Sequence, residues 1–247
     1  MNTSSYMTPW LRNESLEALN RRIHDGVPLE KLQERADRYT KFLFETFFPF
    51  AAPSESSVVM EVGSGVGWII ESIQRKFLVR DITGLDISQN MIDKARERLG
   101  KENPAKFMLY DGLNVPCADS TFDNIYSVAC LQHIEKPHAI LLFKEIIRVL
   151  KSNGFATFHL MSVHQITKVS TPYLKECLNQ VNKVDSHYMY FYSFDELFVI
   201  FHEFFHVKNL EIRHNEYGFW VSFSKEGERD FINDDLPNNL YLKRLNK

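Results

Sequence analysis

Cysteine is scarce in this chain of 247 residues: only Cys117, Cys130 and Cys177 occur, widely separated and odd in number. No CxxC spacing is present, so neither a zinc-ribbon nor a disulfide framework is indicated, and a reducing compartment is expected. No apolar run approaches the ~18 residues of a membrane helix. The first residues lack the basic-then-apolar order of a secretory signal. A soluble, cytoplasmic protein is the expectation. Charge of neither sign dominates. Lys and Arg number 29 against 32 Asp and Glu, a net of -3, which supplies no general attraction to nucleic acid or to an anionic membrane. Internal repeats and low-complexity tracts are also missing. What remains is a chain with 44% hydrophobic residues, enough to build the core of one α/β domain with additions.

The most informative stretch is Val58-Val59-Met60-Glu61-Val62-Gly63-Ser64-Gly65-Val66-Gly67-Trp68. A short apolar run rich in β-branched residues ends in an acid and then in glycines at every second position. That reads as a buried strand entering a tight turn from which a helix departs. Glycines there let a ligand approach the main chain closely.

Strands and helices then alternate, the mark of a parallel sheet with crossovers. A helix runs from Gly65 to Phe77, and Ile82 to Asp86 forms a second strand. Ser88 is placed as the N-cap of a helix that buries Met91, Ile92, Ala95 and Leu99 and is closed by Gly100. Lys106 to Tyr110 and Asp123 to Val128 make the third and fourth strands. An amphipathic helix starts near Pro137, and Asn153-Gly154 turns the chain into a fifth strand, Phe155 to Met161. Ser193 opens a last helix with a capping box, and Val207 to Ile212 pairs antiparallel with Gly218 to Ser224. The expected fold is α/β: a Rossmann-like, seven-stranded, mostly parallel sheet with an antiparallel terminal hairpin and helices on both faces. Residues 1–50, helical at 14–24 and from Leu29 to Phe47, would form a cap or lid. Residues 51–247 would form the domain proper, with 164–192 as an insert on the substrate side.

Four turns bearing glycine or acid fall at the carboxyl ends of successive strands, where open α/β sheets bind ligands. Asp86 lies about twenty residues beyond the glycine turn, the distance at which an acid grips a ribose diol. Asp111 is placed to accept from an exocyclic amine, with the Gly112 and Leu113 amides facing a purine ring nitrogen. Blander readings stand beside these: Asp86 as the cap of the next helix, Asp111 as a turn former.

The pattern resembles the class I S-adenosylmethionine-dependent methyltransferases, in particular the group acting on small molecules. The residues carrying the resemblance are Glu61 to Gly67, Gly84-Leu85-Asp86-Ile87-Ser88 with Met91, Asp111-Gly112 followed by Pro116, Phe122-Asp123, Leu131-Gln132-His133-Ile134 and Arg148-Val149-Leu150-Lys151. It covers residues 55–160 well. By this resemblance Glu61, Gly63, Ser64, Gly65 and Gly67 hold the methionine part of S-adenosylmethionine, Asp86 the ribose hydroxyls and Asp111 the adenine amine. Ile87, Met91 and Leu113 would sandwich the base, and S-adenosylhomocysteine would be the product. Many relatives carry two aromatic or histidine residues after the fourth strand; this chain has Gln132-His133. A nicotinamide dehydrogenase is the rival for the fold, but its GxGxxG spacing serves a pyrophosphate and the glycines here read GxGxG.

His133 is the candidate general base, since an imidazole titrates near neutrality; a structural role is the alternative. The expected reaction is methyl transfer to oxygen or nitrogen of a small-molecule acceptor. A module that binds the cofactor without turnover, or a partner-dependent subunit acting on a macromolecule, is the other class of reading. No nucleic-acid partner is expected: the Asn-Pro-Pro-Tyr type signature of base-amine methyltransferases is missing, and Cys117 precedes the fourth strand, unlike a cytosine-attacking nucleophile. The oligomeric state is not legible. His202-Glu203-Phe204-Phe205-His206 matches the HExxH zinc pattern, yet its second histidine falls where helix should give way to strand, so no metal is expected. Tyr173, Tyr188, Tyr190, Phe191 and Tyr192 could wall an apolar, aromatic or sugar-like acceptor, with Tyr6 and Trp10 folding over the cofactor; packing the insert onto the domain serves them equally well.

Overall fold

The computed structural model describes residues 7–24, 26–163 and 189–228. Strands β1 (Val59–Val62) and β2 (Ile82–Asp86) are buried along their whole length, as strands covered on both faces must be. With β3 (Lys106–Leu109), β4 (Phe122–Ser127), β5 (Leu150–Ser162), β7 (Lys208–Asn215) and β8 (Gly218–Ser224) they form one sheet in the order β3-β2-β1-β4-β5-β8-β7. Only β8 runs antiparallel, to both β5 and β7. An additional strand, β6 (Phe191–Tyr192), pairs parallel with Met161-Ser162. Among the described residues the sheet therefore has eight strands, one more than expected; two residues are too short a run to leave a periodic signal.

The chain first builds β1, β2 and β3 outward in one direction and then returns to place β4 on the other side of β1. The order reverses between β1 and β4, and the carboxyl ends of those two strands open the crevice where α/β sheets bind ligands.

Local chemistry sets the element ends. Helix α3 (Trp68–Phe77) starts from Gly67 at φ 81, a conformation that excludes most side chains. Helix α4 (Gln89–Leu99) is capped by Ser88, whose Oγ accepts from the Met91 amide at 3.3 Å, and ends at Gly100 with φ 82. Helix α5 (Lys136–Val149) carries Pro137 in its first turn, where no amide is missed. Ser193 caps α6 (Phe194–Phe198) through the Glu196 amide at 3.1 Å, and the helix continues as a π-helical turn over Val199–Phe204. One expectation is corrected at Gly154. It makes no turn into a strand, because β5 already runs from Leu150. A Cβ at Gly154 would lie 2.7 Å from the Asp123 carbonyl oxygen, so glycine is required where the parallel pairing of β5 with β4 shifts register.

Helices α1 (Leu16–His24) and α2 (Leu29–Lys41) precede the sheet, and α2 runs on into a π-helical turn at Phe42–Phe47. They are not equivalent. Ala36, Leu43, Phe44 and Phe48 belong to the same buried cluster as Val59, Ile70 and Ile82, so α2 and the turn after it are part of the sheet's core. Each fully buried aliphatic or aromatic side chain there contributes about 1.5–3 kcal/mol. Helix α1 rests on a small separate cluster, Leu19 with Val66 and Met91.

Candidate active site

The glycine turn after β1 is tied to β2 by its backbone. The amides of Gly63 and Ser64 both donate to the Leu85 carbonyl, at 2.8 and 3.1 Å, and the Gly65 amide donates to Asp86 Oδ2 at 2.8 Å. Gly63, Gly65 and Gly67 all have positive φ. At Gly63 there is a second constraint: an added Cβ would sit 2.1 Å from the Cys130 sulfur. Arg98, in the last turn of α4, clamps the far side of the loop. Its guanidinium donates to the carbonyls of Val66 at 2.9 Å and Gly67 at 2.7 Å, pairs with Glu71 at 2.5 Å and stacks over the Trp68 ring at 3.9 Å. Sequence reasoning gave Arg98 no role, because the residues it holds lie about thirty positions away in the chain.

Beneath this turn lies a cavity of about 460 Å³. Its walls include Glu61, Gly63, Ser64, Gly65, Asp86, Ile87, Met91, Gly112 and His133, all singled out from the sequence. Its roof is the amino-terminal segment, with Trp10 and the apolar faces of α1 and α2. Three of the expected site residues stand elsewhere. Gly67 caps α3 outside the lining. Asp111 is exposed and accepts from the amides of Leu113 and Asn114 at 2.8 and 2.7 Å and from the Asn114 side chain at 2.6 Å. It builds a turn, and the Leu113 amide is thereby spent on it. Desolvation, the largest single influence, pushes the Asp111 carboxyl up, but the hydrogen bonds from Asn114, Leu113 and its own backbone together hold it below its ordinary range. The edge of the cavity at that point is formed by Tyr110 and Gly112, with Met7 packed against Gly112.

The acids in the cavity are electrostatically unusual. Burial pushes the Asp86 carboxyl up to about 6, against the pull of backbone amides from Ser88, Gly65 and Ile87. Glu61 is buried and raised well above the usual carboxylate range, first by desolvation and then by the charge of Asp86. Its Oε2 has no hydrogen-bond partner, nor has Gln132 Oε1 on the same wall. Buried acceptors left unpaired are costly; here both belong to residues that line a cavity able to take a donor-bearing ligand. Cys130, packed against Gly63, is pushed up to about 12 by burial and by Asp86 and Glu61, which leaves it a structural thiol. His133 closes a short 3-10 turn at Leu131–His133 with its ring 5.1 Å from that of Trp10.

Of the aromatic residues expected around the acceptor, Tyr6, Tyr173 and Tyr188 lie outside the described residues. Tyr192 is fully buried in the main core and does not line the cavity; Met189 does. The HExxH pattern does not form a shared helical face: His202 lies in the π-helical turn stacked on Phe198, and His206 follows its end with φ 53.

Residues 59–154 match a family model described as a methyltransferase domain. Methyltransferase GfsG of Streptomyces halstedii is 30% identical over 133 residues, 53% of this chain and 45% of that protein. Malonyl-[acyl-carrier protein] O-methyltransferase of Marinomonas sp. (strain MWYL1) is 24% identical over 158 residues, 63% of this chain and 58% of that protein. The chain thus spans about half the length of the curated relatives it matches. Magnesium protoporphyrin IX methyltransferase from Synechocystis PCC 6803, solved with bound SAH, shares the fold with a TM-score of 0.53 at 14% identity, over 86% of this chain and 88% of that one.

Sheet order, glycine turn and matched segment together define a class I methyltransferase domain. Residues 59–154 thus carry a methyltransferase domain of the S-adenosylmethionine-dependent kind.

Proposed function

We propose that this protein binds S-adenosylmethionine in the cavity beneath the glycine turn and transfers its methyl group to an oxygen or nitrogen of a small-molecule acceptor. The observation that carries the reading is the unpartnered buried oxygen of Glu61, beside Asp86 and the glycine backbone, on the wall of that cavity. The chemistry of the donor set fits. An α-ammonium group and a ribose diol are hydrogen-bond donors, and Glu61 and Asp86 offer carboxylate acceptors.

When bound, S-adenosylmethionine supplies a methyl group already activated on a positively charged sulfur. The residues of this chain then have to orient it and keep water out, and alignment of reacting groups accounts for up to roughly 7–11 kcal/mol in favourable cases. Glu61 and the Gly63–Gly65 backbone hold the amino-acid end in this reading, and Asp86 holds the ribose. Ile87, Met91, Tyr110 and Gly112 enclose the base, while Asp111 shapes the turn beside it. Trp10 and α1 roof the cavity against solvent. His133 takes the proton that a hydroxyl or ammonium acceptor must lose. The apolar walls from Leu16, Leu19, Ile23, Leu29 and Leu32 favour an acceptor with an aliphatic or aromatic body. A cytoplasmic location goes with this reading, in keeping with free thiols at Cys117 and Cys130. Among the described residues no helix is long and apolar enough to cross a membrane.

The test is turnover of methyl-labelled S-adenosylmethionine against a panel of hydroxyl and amine metabolites, with His133→Ala alongside. The expected result is label transfer by the wild type and a loss of roughly 10²–10⁴-fold in the variant, with affinity for S-adenosylhomocysteine retained. Tight cofactor binding without transfer to any acceptor would instead favour a binding module. Full activity in His133→Ala would remove the proposed base.

A further inference from the structure

Helix α2 presents the stripe Leu32, Arg35, Ala36 and Tyr39 to the cavity, the spacing of one helical face. Ala36 and Tyr39 pack in the cluster that contains Ile69 and Val128, which brings this part of α2 to the end of β4 from which the Gln132-His133 turn departs. Arg35 is the only lysine or arginine among the described lining residues, set against the two acids Glu61 and Asp86. It is half-buried. Its acidic neighbours on α2 are engaged elsewhere: Glu34 pairs with Lys31, and Asp37 pairs with Arg75. Arg35 makes no hydrogen bond or ion pair with any described residue.

A half-buried guanidinium with no hydrogen-bond or ion-pair partner keeps all its donors available to a ligand. The arrangement is balanced once a ligand brings the opposite charge, and the planar fork of donors matches a carboxylate in particular. The two cavity acids are acceptors and offer such a group no fork of donors, which leaves Arg35 as its match on this wall.

We propose that Arg35 is the oxyanion-binding residue of this cavity and pairs with a carboxylate on a molecule bound there. The inference rests on the cofactor reading above for one of the two sources of that group, the amino-acid end of the cofactor. The other source is an acidic acceptor.

Calorimetry separates them. Wild type, Arg35→Met and Arg35→Lys are titrated with S-adenosylhomocysteine and with its decarboxylated analogue, then with benzoate in the presence of saturating S-adenosylhomocysteine. If the cofactor supplies the carboxylate, the wild type prefers S-adenosylhomocysteine over the analogue by roughly tenfold to a hundredfold. That preference disappears in Arg35→Met and returns in part in Arg35→Lys. Equal binding of the decarboxylated analogue to all three proteins shows that the site itself is intact. If the acceptor supplies it, affinity for S-adenosylhomocysteine is unchanged and benzoate binds the wild type but not Arg35→Met. The inference is overturned if Arg35→Met keeps the wild-type preference and benzoate behaves alike, or fails to bind, in both proteins. Should the wild type bind neither nucleoside, the cofactor reading falls, and Arg35 is then judged on benzoate titrated into the free protein alone.

Discussion

At the scale of single residues, the site is governed by where acids lose water. Asp86 and Asp111 both follow strands and both look like ligand-binding acids in the sequence. The structure separates them by environment: Asp86 is buried on the cavity wall with its carboxyl raised to about 6, whereas Asp111 is exposed and spent on its own turn. Ribose hydroxyls donate best to the ionised carboxylate. Affinity for S-adenosylhomocysteine is therefore expected to decline as pH falls through about 6, and Asp86→Asn should weaken binding at neutral pH while flattening that decline. Asp111→Ala should change affinity little, against a loss of roughly tenfold or more for Asp86→Ala. Calorimetry across pH checks this; equal losses for the two variants would return Asp111 to the binding surface. Sequence could mark both acids but not rank them, because the Asn114 side chain and the burial of Asp86 are properties of the folded neighbourhood.

At the scale of elements, the glycine turn is a backbone shape held from two sides. Gly63 and Gly65 share positive φ, yet only Gly63 meets a side chain; nothing lies within 4 Å of a Cβ at Gly65. Gly65→Ala should then cost only the left-handed backbone penalty of about 1–2 kcal/mol. Gly63→Ala should cost clearly more, because the Cys130 sulfur has to move as well. Urea denaturation of the two variants measures the difference, and equal costs would dismiss the Cys130 contact as a constraint. Arg98 is the second support. Arg98→Met keeps the aliphatic stem but loses the bonds to Val66, Gly67 and Glu71, so stability should fall by about 1–3 kcal/mol and S-adenosylhomocysteine should bind more weakly. Undiminished affinity would show that the loop holds its shape without the clamp. The glycines were legible because few residues tolerate their conformation. The clamp was not, since an arginine at a helix end is ordinary.

At the scale of the whole molecule, the far end of the sheet has an acid sensitivity of its own. His159 on β5 is buried between Tyr39 and Trp220, with Nε2 2.9 Å from the Tyr217 carbonyl oxygen. Burial lowers its imidazole to about 4, from an ordinary value of 6.5. Between those values the unfolded chain binds the extra proton, so stability is lost as pH falls from about 6.5 through 4, by up to about 1.4 kcal/mol per pH unit. Asp86 acts in the opposite sense. Its folded carboxyl, at about 6, holds a proton that the unfolded chain releases above about 3.8, so acidification through that window adds stability. His159→Gln preserves a donor for Tyr217 and removes the titration. Its stability deficit relative to wild type should shrink between pH 7 and about pH 5, as read by urea denaturation. A constant deficit would show that His159 does not set the acid response. Tyr39 joins this aromatic group to the cavity wall, so the amino-terminal helix α2 is bound into the sheet rather than laid over it.

The parallel sheet, the glycine turn and the terminal hairpin were legible in the sequence alone, because each follows from local rules: apolar runs alternating with amphipathic helices, backbone freedom at glycine, and alternating character in the last two strands. The two-residue β6, the close crossing at Gly154, the turn that consumes Asp111, the Arg98 clamp and the cavity face of α2 were decided only by tertiary structure. Each depends on what lies opposite a residue from a distant part of the chain, and one sequence carries no local signal of its neighbours across space. Desolvation acts the same way: it raises Asp86 only because folding buries that carboxyl on the cavity wall.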